Sequence, residues 1–335
     1  MSLLNLKDMI LVNLLLCILC ALVIFLFVMQ IGILANLYIF KNTPDSLSEN
    51  TLLTEPDGVE EFIPTTDGGL IRSLHKASGP AVVLIPDWGL SMVTMNLLWR
   101  QLAAKGYQVI TFDHRGHGDS QAGSEGYSPE ILARDLRDIL DFYRLNDCIL
   151  VGHSAGAFLA MKYLLDYPEE SRNRVNGLVS LAGFGALSPE EKNHNRFPFS
   201  VFGSGVLRRL LKTELYGWSF SAVAFGDRPA PSMLRAFMKV VLKDQHKIIK
   251  SVWDQIGKQN LYSRLSALSL PVTLVSSLSD RRIDPNASQL LAQHIPAATA
   301  NCLEEPVGNM LVWEAPGKLA EIIRKFERMT QGETV

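Results

Sequence analysis

Cysteine is scarce in this chain, and the four present form no pattern. Cys17 and Cys20 fall inside an apolar run, while Cys148 and Cys302 start or lie in two separate strand-like stretches. That spacing excludes a disulfide framework and a cysteine-based metal site. An excess of either charge is also absent: 32 Lys and Arg against 34 Asp and Glu leave a formal net charge of −2. Nothing in that balance marks nucleic acid as a partner. The chain shows no internal repeats and no low-complexity tracts. Histidine is thin as well, seven in 335 residues, and its absence from one position near the C-terminus matters most.

A long apolar run is present. From Leu11 to Ile33 the only interruptions are Asn13, Gln30 and Gly32. A helix of that length rises ~33 Å, enough to cross a hydrocarbon core of ~30 Å. A signal peptide has a shorter apolar region, about 7–15 residues, followed by small residues at a cleavage site. Residues 1–41 therefore read as an uncleaved single-pass membrane anchor spanning about 11–33. Lys7 and Lys41 lie on opposite sides, so the positive-inside bias leaves the side of the soluble part open, with a lean to a short cytoplasmic N-terminus. Residues 42–58, polar and rich in Ser, Thr, Pro and acids, read as a tether.

Beyond the tether, strand-like and helix-like stretches alternate. Ala81–Ile85 is a continuous apolar run, as a parallel strand buried on both faces requires. Ser91–Lys105 suits a helix, Tyr107–Phe112 a strand, Pro129–Arg144 a helix and Val175–Leu181 a strand. The alternation breaks from 185 to 264 and resumes with Val272–Ser276, Ala287–His294, Ala300–Leu303 and Pro316–Met329. Repeated βα units imply an α/β fold, a mostly parallel sheet with helices on both faces. The core is expected over 59–184 and 265–330, with 185–264 as an inserted helical cap. The cap carries 13 Lys and Arg against 6 Asp and Glu. Lys239, Lys243, Lys247 and Lys250 recur at helical spacing and are expected to share one face. With the apolar and cationic run Gly205–Lys212, that face could meet anionic headgroups or simply be a solvated surface.

The densest local signal is Gly152-His153-Ser154-Ala155-Gly156, between the apolar Ile149–Val151 and a helix-like stretch over Ala157–Tyr167. G-x-S-x-G at a strand-to-helix junction makes a turn sharp enough to project the serine hydroxyl. Two further segments accompany it: Phe112-Asp113-His114-Arg115-Gly116-His117-Gly118-Asp119-Ser120, and Pro271–Val275 followed by Ser279-Asp280-Arg281-Arg282-Ile283-Asp284-Pro285. In this order and spacing they resemble the α/β-hydrolase superfamily, in its serine esterase and lipase-like branch, over roughly Glu60 to Arg328. A serine at the elbow argues against the haloalkane and epoxide branches, which use aspartate there. The resemblance implies an inserted cap over the strand ends, ester or lipid hydrolysis, a small-molecule ester or lipid substrate, and neither metal nor organic cofactor.

The resemblance also assigns the site. Ser154 is the nucleophile and Asp280 the orienting acid, with Asp284 the second choice and a helix-capping role open to either. The oxyanion donors are the backbone N–H groups of Ala155 and Trp88, although the Trp88 ring could instead be an aromatic packed under the cap. The usual His-Gly before that second donor is replaced by Pro86-Asp87, so the loop lacks its permissive glycine.

The larger departure is Asn309. Gly308-Asn309-Met310-Leu311-Val312-Trp313-Glu314-Ala315-Pro316 resembles the family's closing motif everywhere except at the histidine. Asparagine hydrogen-bonds well but accepts no proton near neutral pH. Loss of a triad histidine costs on the order of 10⁶ in turnover. No other histidine is placed to substitute: His153 should point away from Ser154, His114 and His117 belong to an earlier loop, and His75, His194, His246 and His294 are remote. Three explanations stay open: a natural pseudoenzyme that keeps the pocket for an acyl ligand or protein partner, a hydrolase changed at one position, or slow turnover with water or a substrate group as base. The intact residues around Asn309 favour a recent or single-step loss.

Overall fold

A computed structural model of the chain describes residues 3–76, 78–188, 209–243 and 246–332. Helix α1 (Leu3–Lys41) is continuous, and from Asp8 it is long and apolar enough to cross a membrane. Its last turns do not stand free. Phe40 is buried in the core, and the Gln30 side chain accepts a hydrogen bond from the Tyr216 hydroxyl at 3.3 Å.

The stretch expected to be a tether is instead docked on the core. It contains α2 (Glu49–Leu53), capped by the Ser48 hydroxyl, with Leu52 fully buried. The Asn96 amide donates to the carbonyls of Thr51, Leu52 and Thr54, and the Asp45 carboxylate accepts from the backbone and hydroxyl of Ser232. Polar composition misled here because these side chains are spent on internal hydrogen bonds rather than on water.

Eight strands form one sheet: β1 (Val59–Pro64), β2 (Leu70–Lys76), β3 (Ala81–Ile85), β4 (Gln108–Phe112), β5 (Cys148–His153), β6 (Val175–Leu181), β7 (Val272–Ser277) and β8 (Ala298–Leu303). Their order is β1-β2-β4-β3-β5-β6-β7-β8. β2 is antiparallel to both its neighbours, and β3 to β8 pair in parallel. Every residue of β3 and β5 is buried. Alternate residues feed two cores: Val82 and Leu84 go to one face, Val83 and Ile85 to the other.

The helices follow from local signals. α3 (Asn96–Ala103) precedes β4, and α4 (Pro129–Phe142) begins on a Ser128 cap with proline in its first turn, then buries Leu132, Leu136, Ile139 and Leu140. This is the pattern of a sequence-encoded helix start followed by one apolar face. α5 (Ala155–Asp166) and α6 (Pro168–Arg172) follow β5.

Between β6 and β7 lie α7 (Glu214–Ser221), α8 (Pro231–Lys243) and α9 (His246–Ile256), so the interruption of the alternation is a helical insertion. The cap lysines do not share one helix face. α8 ends at Lys243 and α9 starts at His246, which parts Lys239 and Lys243 from Lys250, and Lys250 pairs with Asp254 at 2.8 Å. The Lys247 side chain and residues 205–208 of the other basic segment lie outside the described residues. α10 (Ala287–His294), α11 (Leu311–Glu314) and α12 (Pro316–Thr330) complete the core.

Candidate active site

The turn between β5 and α5 is strained where chemistry would need it. Ser154 adopts φ 52° and ψ −113°, a left-handed conformation that costs a non-glycine residue about 1–3 kcal/mol. The two flanking glycines are dictated by close approach. A Cβ on Gly152 would lie 2.5 Å from the Ala157 nitrogen, and one on Gly156 would lie 2.3 Å from the Ile85 carbonyl. Ser154 is itself fully buried, and its Oγ has no hydrogen-bond partner among the described residues.

Asp280 and Asn309 come together as the resemblance implies. Asn309 Nδ2 donates to Asp280 Oδ2 at 3.0 Å, while Asp280 Oδ1 accepts from the backbone N–H groups of Arg282 and Ile283 at 2.8 and 3.0 Å. Burial pushes the Asp280 carboxyl above its ordinary range, against the pull of those hydrogen bonds. The other end of the Asn309 carboxamide accepts from Arg282 Nη1 at 3.1 Å. Those two partners fix its orientation: reversed, its oxygen would face a carboxylate and its NH₂ a guanidinium. Asp284 is not brought to this group. It accepts from the backbone and side chain of Asn286, closing the turn before α10.

The two expected oxyanion donors fare differently. The Ala155 N–H donates at 3.1 Å to Asp87 Oδ1, and Asp87 Oδ2 pairs with Arg282 Nη1, also at 3.1 Å. A carboxylate thus stands at the N-terminus of α5, a place that favours an anion. It occupies the donor that a developing oxyanion would need. The Trp88 ring is packed under the cap: its Nε1 donates to the Ile249 carbonyl in α9 at 3.1 Å, and the ring meets His117 at 4.3 Å and His114 at 5.4 Å between centroids.

His114 and His117 are structural supports of that loop and are buried rather than exposed. His114 Nε2 contacts the Pro86 carbonyl at 2.9 Å, and His117 Nε2 accepts from the Gly89 N–H at 3.1 Å while Nδ1 faces the Arg115 carbonyl at 3.2 Å. A donor on one side and an acceptor on the other select the neutral Nδ1–H tautomer of His117. Burial brings His114 down to about 4 and His117 to about 3.

Both rings therefore stay neutral in the fold, while the unfolded chain takes up protons below about 6.5. Stability should fall as the pH drops from about 6.5 towards 4, by at most about 1.4 kcal/mol per unit for each ring. Burial raises Asp113 to about 6 and Glu314 to about 7, and these carboxyls act in the opposite sense by holding protons in the fold. The histidine contribution is thus read as a difference: His117→Gln should flatten the acid-side decline of the urea midpoint. An unchanged slope would contradict a buried neutral ring.

The remaining histidines are elsewhere or support the loop. His153 Nε2 contacts the Asn309 carbonyl at 2.8 Å, so its ring sits under the Asn309 loop. His75 packs against Tyr143 with the rings tilted at 58°, and His294 is bonded to the Leu290 carbonyl on α10. His194 and the His246 side chain lie outside the described residues.

Three residues escaped the sequence reading as members of the site. Asp87 was visible only as a missing glycine, and Arg282 only as part of the acid's loop. Glu314 fastens the Asn309 loop by accepting from the backbone of Gly308 at 2.7 Å and of Gly226 in the cap at 3.0 Å. Its place in a closing motif was the available signal.

A family model for the alpha/beta hydrolase fold matches residues 80–316, and the chain belongs to that family. A non-heme chloroperoxidase, CPO-A1 of Kitasatospora aureofaciens, is 27% identical over 251 residues, covering 72% of this chain and 89% of the relative. The bifunctional epoxide hydrolase 2 of Sus scrofa is 30% identical over 140 residues, covering 41% of this chain and only 22% of that protein. Among solved structures, an esterase from Exiguobacterium antarcticum aligns with a TM-score of 0.71 at 18% identity, over 81% of this chain and all of the esterase. At that identity the likeness shows the fold alone.

Proposed function

We propose that this is a membrane-anchored protein of the serine esterase and lipase-like branch whose hydrolytic turnover is impaired or absent. It holds a small ester- or lipid-like ligand rather than processing it efficiently. In this reading Ser154 is the nucleophile, Asp280 the acid and Asn309 the occupant of the base position, while Ala155 and Trp88 hold the positions of the oxyanion donors, the first of them engaged by Asp87. The single observation that carries it is the Asn309 carboxamide, committed to Asp280 at one end and to Arg282 at the other. A carboxamide in that position takes no proton from Ser154, so the hydroxyl stays a poor nucleophile. Asp87 on the Ala155 N–H adds a second obstacle, because a carboxylate there opposes negative charge on a substrate oxygen. Anchoring is supported by α1, whose apolar length meets the thickness of a bilayer.

The test is made on the full-length protein in detergent. A fluorophosphonate probe should label Ser154 no faster than an unactivated serine, and p-nitrophenyl ester turnover should match that of Ser154→Ala. Ser154-dependent turnover of about 1 s⁻¹ or more, the range of working enzymes, would overturn the reading. Release of the chain from membranes by alkaline carbonate would overturn its anchoring.

A further inference from the structure

Where α1 leaves its apolar run, α7 and α8 bound a cleft of about 560 Å³. It is lined by four cations, Lys212, Arg235, Lys239 and Lys243, together with the apolar bodies of Trp218 and Met238. Two carboxylates also line it, and both are engaged. Glu49 pairs with Arg235 at 3.2 Å and with Lys239, and Glu214 pairs with Lys41 of α1 at 3.3 Å. Lys212 and Lys243 are exposed and make no ion pair with a described residue. Lys243 also borders a smaller cavity of about 220 Å³ with Glu55, but the Glu55 carboxylate is held in a two-pronged pair by Arg72 at 2.7 and 2.9 Å. The Arg235 guanidinium lies 5.6 Å from the centroid of the Trp218 ring, which fixes a planar cation over an apolar surface.

The depth of this cleft follows from the anchor. A helix rises about 1.5 Å per residue and needs about 20 residues for the hydrocarbon core, so a span entered near Leu11 is left near Gln30. There the Tyr216 hydroxyl of α7 meets Gln30, at the level where tyrosine is favoured in membrane proteins. The headgroup layer adds about 5–7 Å on each side of the core. Glu214 of the cleft lining pairs with Lys41, a rise of about 16 Å along α1 beyond Gln30, so the cleft lies on the side where the anchor emerges, outside the hydrocarbon core, with its cations beside an apolar lining.

Resting on the anchored reading above, we infer that this cleft binds the headgroup of an anionic phospholipid. The ammonium groups of Lys212 and Lys243 meet its phosphate, and Trp218 and Met238 meet the glycerol and upper chain. A free phosphate shares the anionic chemistry but makes no use of the apolar lining.

The experiment uses the full-length protein in nanodiscs of mixed phosphatidylcholine and phosphatidylglycerol, released for native mass spectrometry. Phosphatidylglycerol should be retained over phosphatidylcholine by about ten-fold or more relative to their ratio in the disc, as two favourable lysine contacts would give. Lys212→Glu/Lys243→Glu should abolish the enrichment, while Lys325→Glu, an exposed lysine on α12, should leave it unchanged. No enrichment in the native chain, or enrichment that survives the double reversal, would overturn the proposal. In a second arm inorganic phosphate is added to the discs. Displacement of phosphatidylglycerol by phosphate would reassign the cleft to the free anion and also overturn it. Carbonate extraction is scored separately, so a chain that stays in the membrane without selecting lipid refutes the cleft and spares the anchor.

Discussion

Asn309→His alone should leave the protein a poor esterase, and adding Asp87→Gly should raise p-nitrophenyl ester turnover by a further ~10²–10³-fold, the usual worth of an oxyanion donor. The sequence alone encourages the simpler expectation that one substitution repairs the site, because every other residue around Asn309 matches its motif. The geometry argues otherwise. The Ala155 N–H already donates to Asp87, and Arg282 joins that carboxylate to Asn309. An imidazole introduced at 309 would sit beside the Arg282 guanidinium, which disfavours the imidazolium it must form. Asp280 would favour it, so the base could work only weakly while the hole stays filled. Removing the Asp87 side chain frees the donor and returns glycine to the loop position where the family resemblance expects it. Turnover of Asn309→His within ten-fold of the double variant would sink this account of Asp87. Turnover equally low in both would place the defect elsewhere in the site.

The division between what was legible and what was not follows physical range. The elbow, the strands and most helices depend on local patterns: apolar runs, the glycines around Ser154, and Ser128-Pro129 before α4. Strands β3 and β6 and helix α10 have the bounds that their sequence implies, and the other core elements whose bounds the sequence marks shift by a few residues, except that the expected helix over Ser91–Lys105 divides into a 3₁₀ turn (Met92–Met95) and α3. The Asp87 carboxylate on the Ala155 N–H was not legible, because it depends on three loops, after β3, β5 and β7, meeting at one point. The departure at Pro86-Asp87 showed that something differs there, but not that the new carboxylate bonds Ala155. Docking of residues 42–58 escaped for a similar reason: the partners, Asn96 and Ser232, are remote in sequence. The histidines at 114 and 117 looked like loop residues and are in fact buried struts, since only the fold shows which loop covers them.

Arg115→Ala should cost about 3–5 kcal/mol, the penalty for stripping one partner from a buried ion pair, out of a total stability of roughly 5–15 kcal/mol. The Arg115 side chain is fully buried. It bonds Asp67 at 2.8 and 3.0 Å, Asp135 at 2.6 and 2.5 Å, and the Gly126 carbonyl at 2.9 Å. That fork is something lysine cannot reproduce, so Arg115→Lys should recover little. Alanine would leave two buried carboxylates without their shared partner, with only Arg134, 3.9 Å from Asp67, as a distant counter-charge. An inversion follows: Arg115→Met/Asp67→Asn/Asp135→Asn, which removes all three charges, should be more stable than Arg115→Ala. The damage should also reach the site, because the Arg115 carbonyl steadies His117, and His117 holds Gly89 beside Trp88. Urea midpoints on the detergent-solubilised chain decide the matter. A single variant as stable as the native protein, or a triple variant weaker than the single, would show that the fork is dispensable.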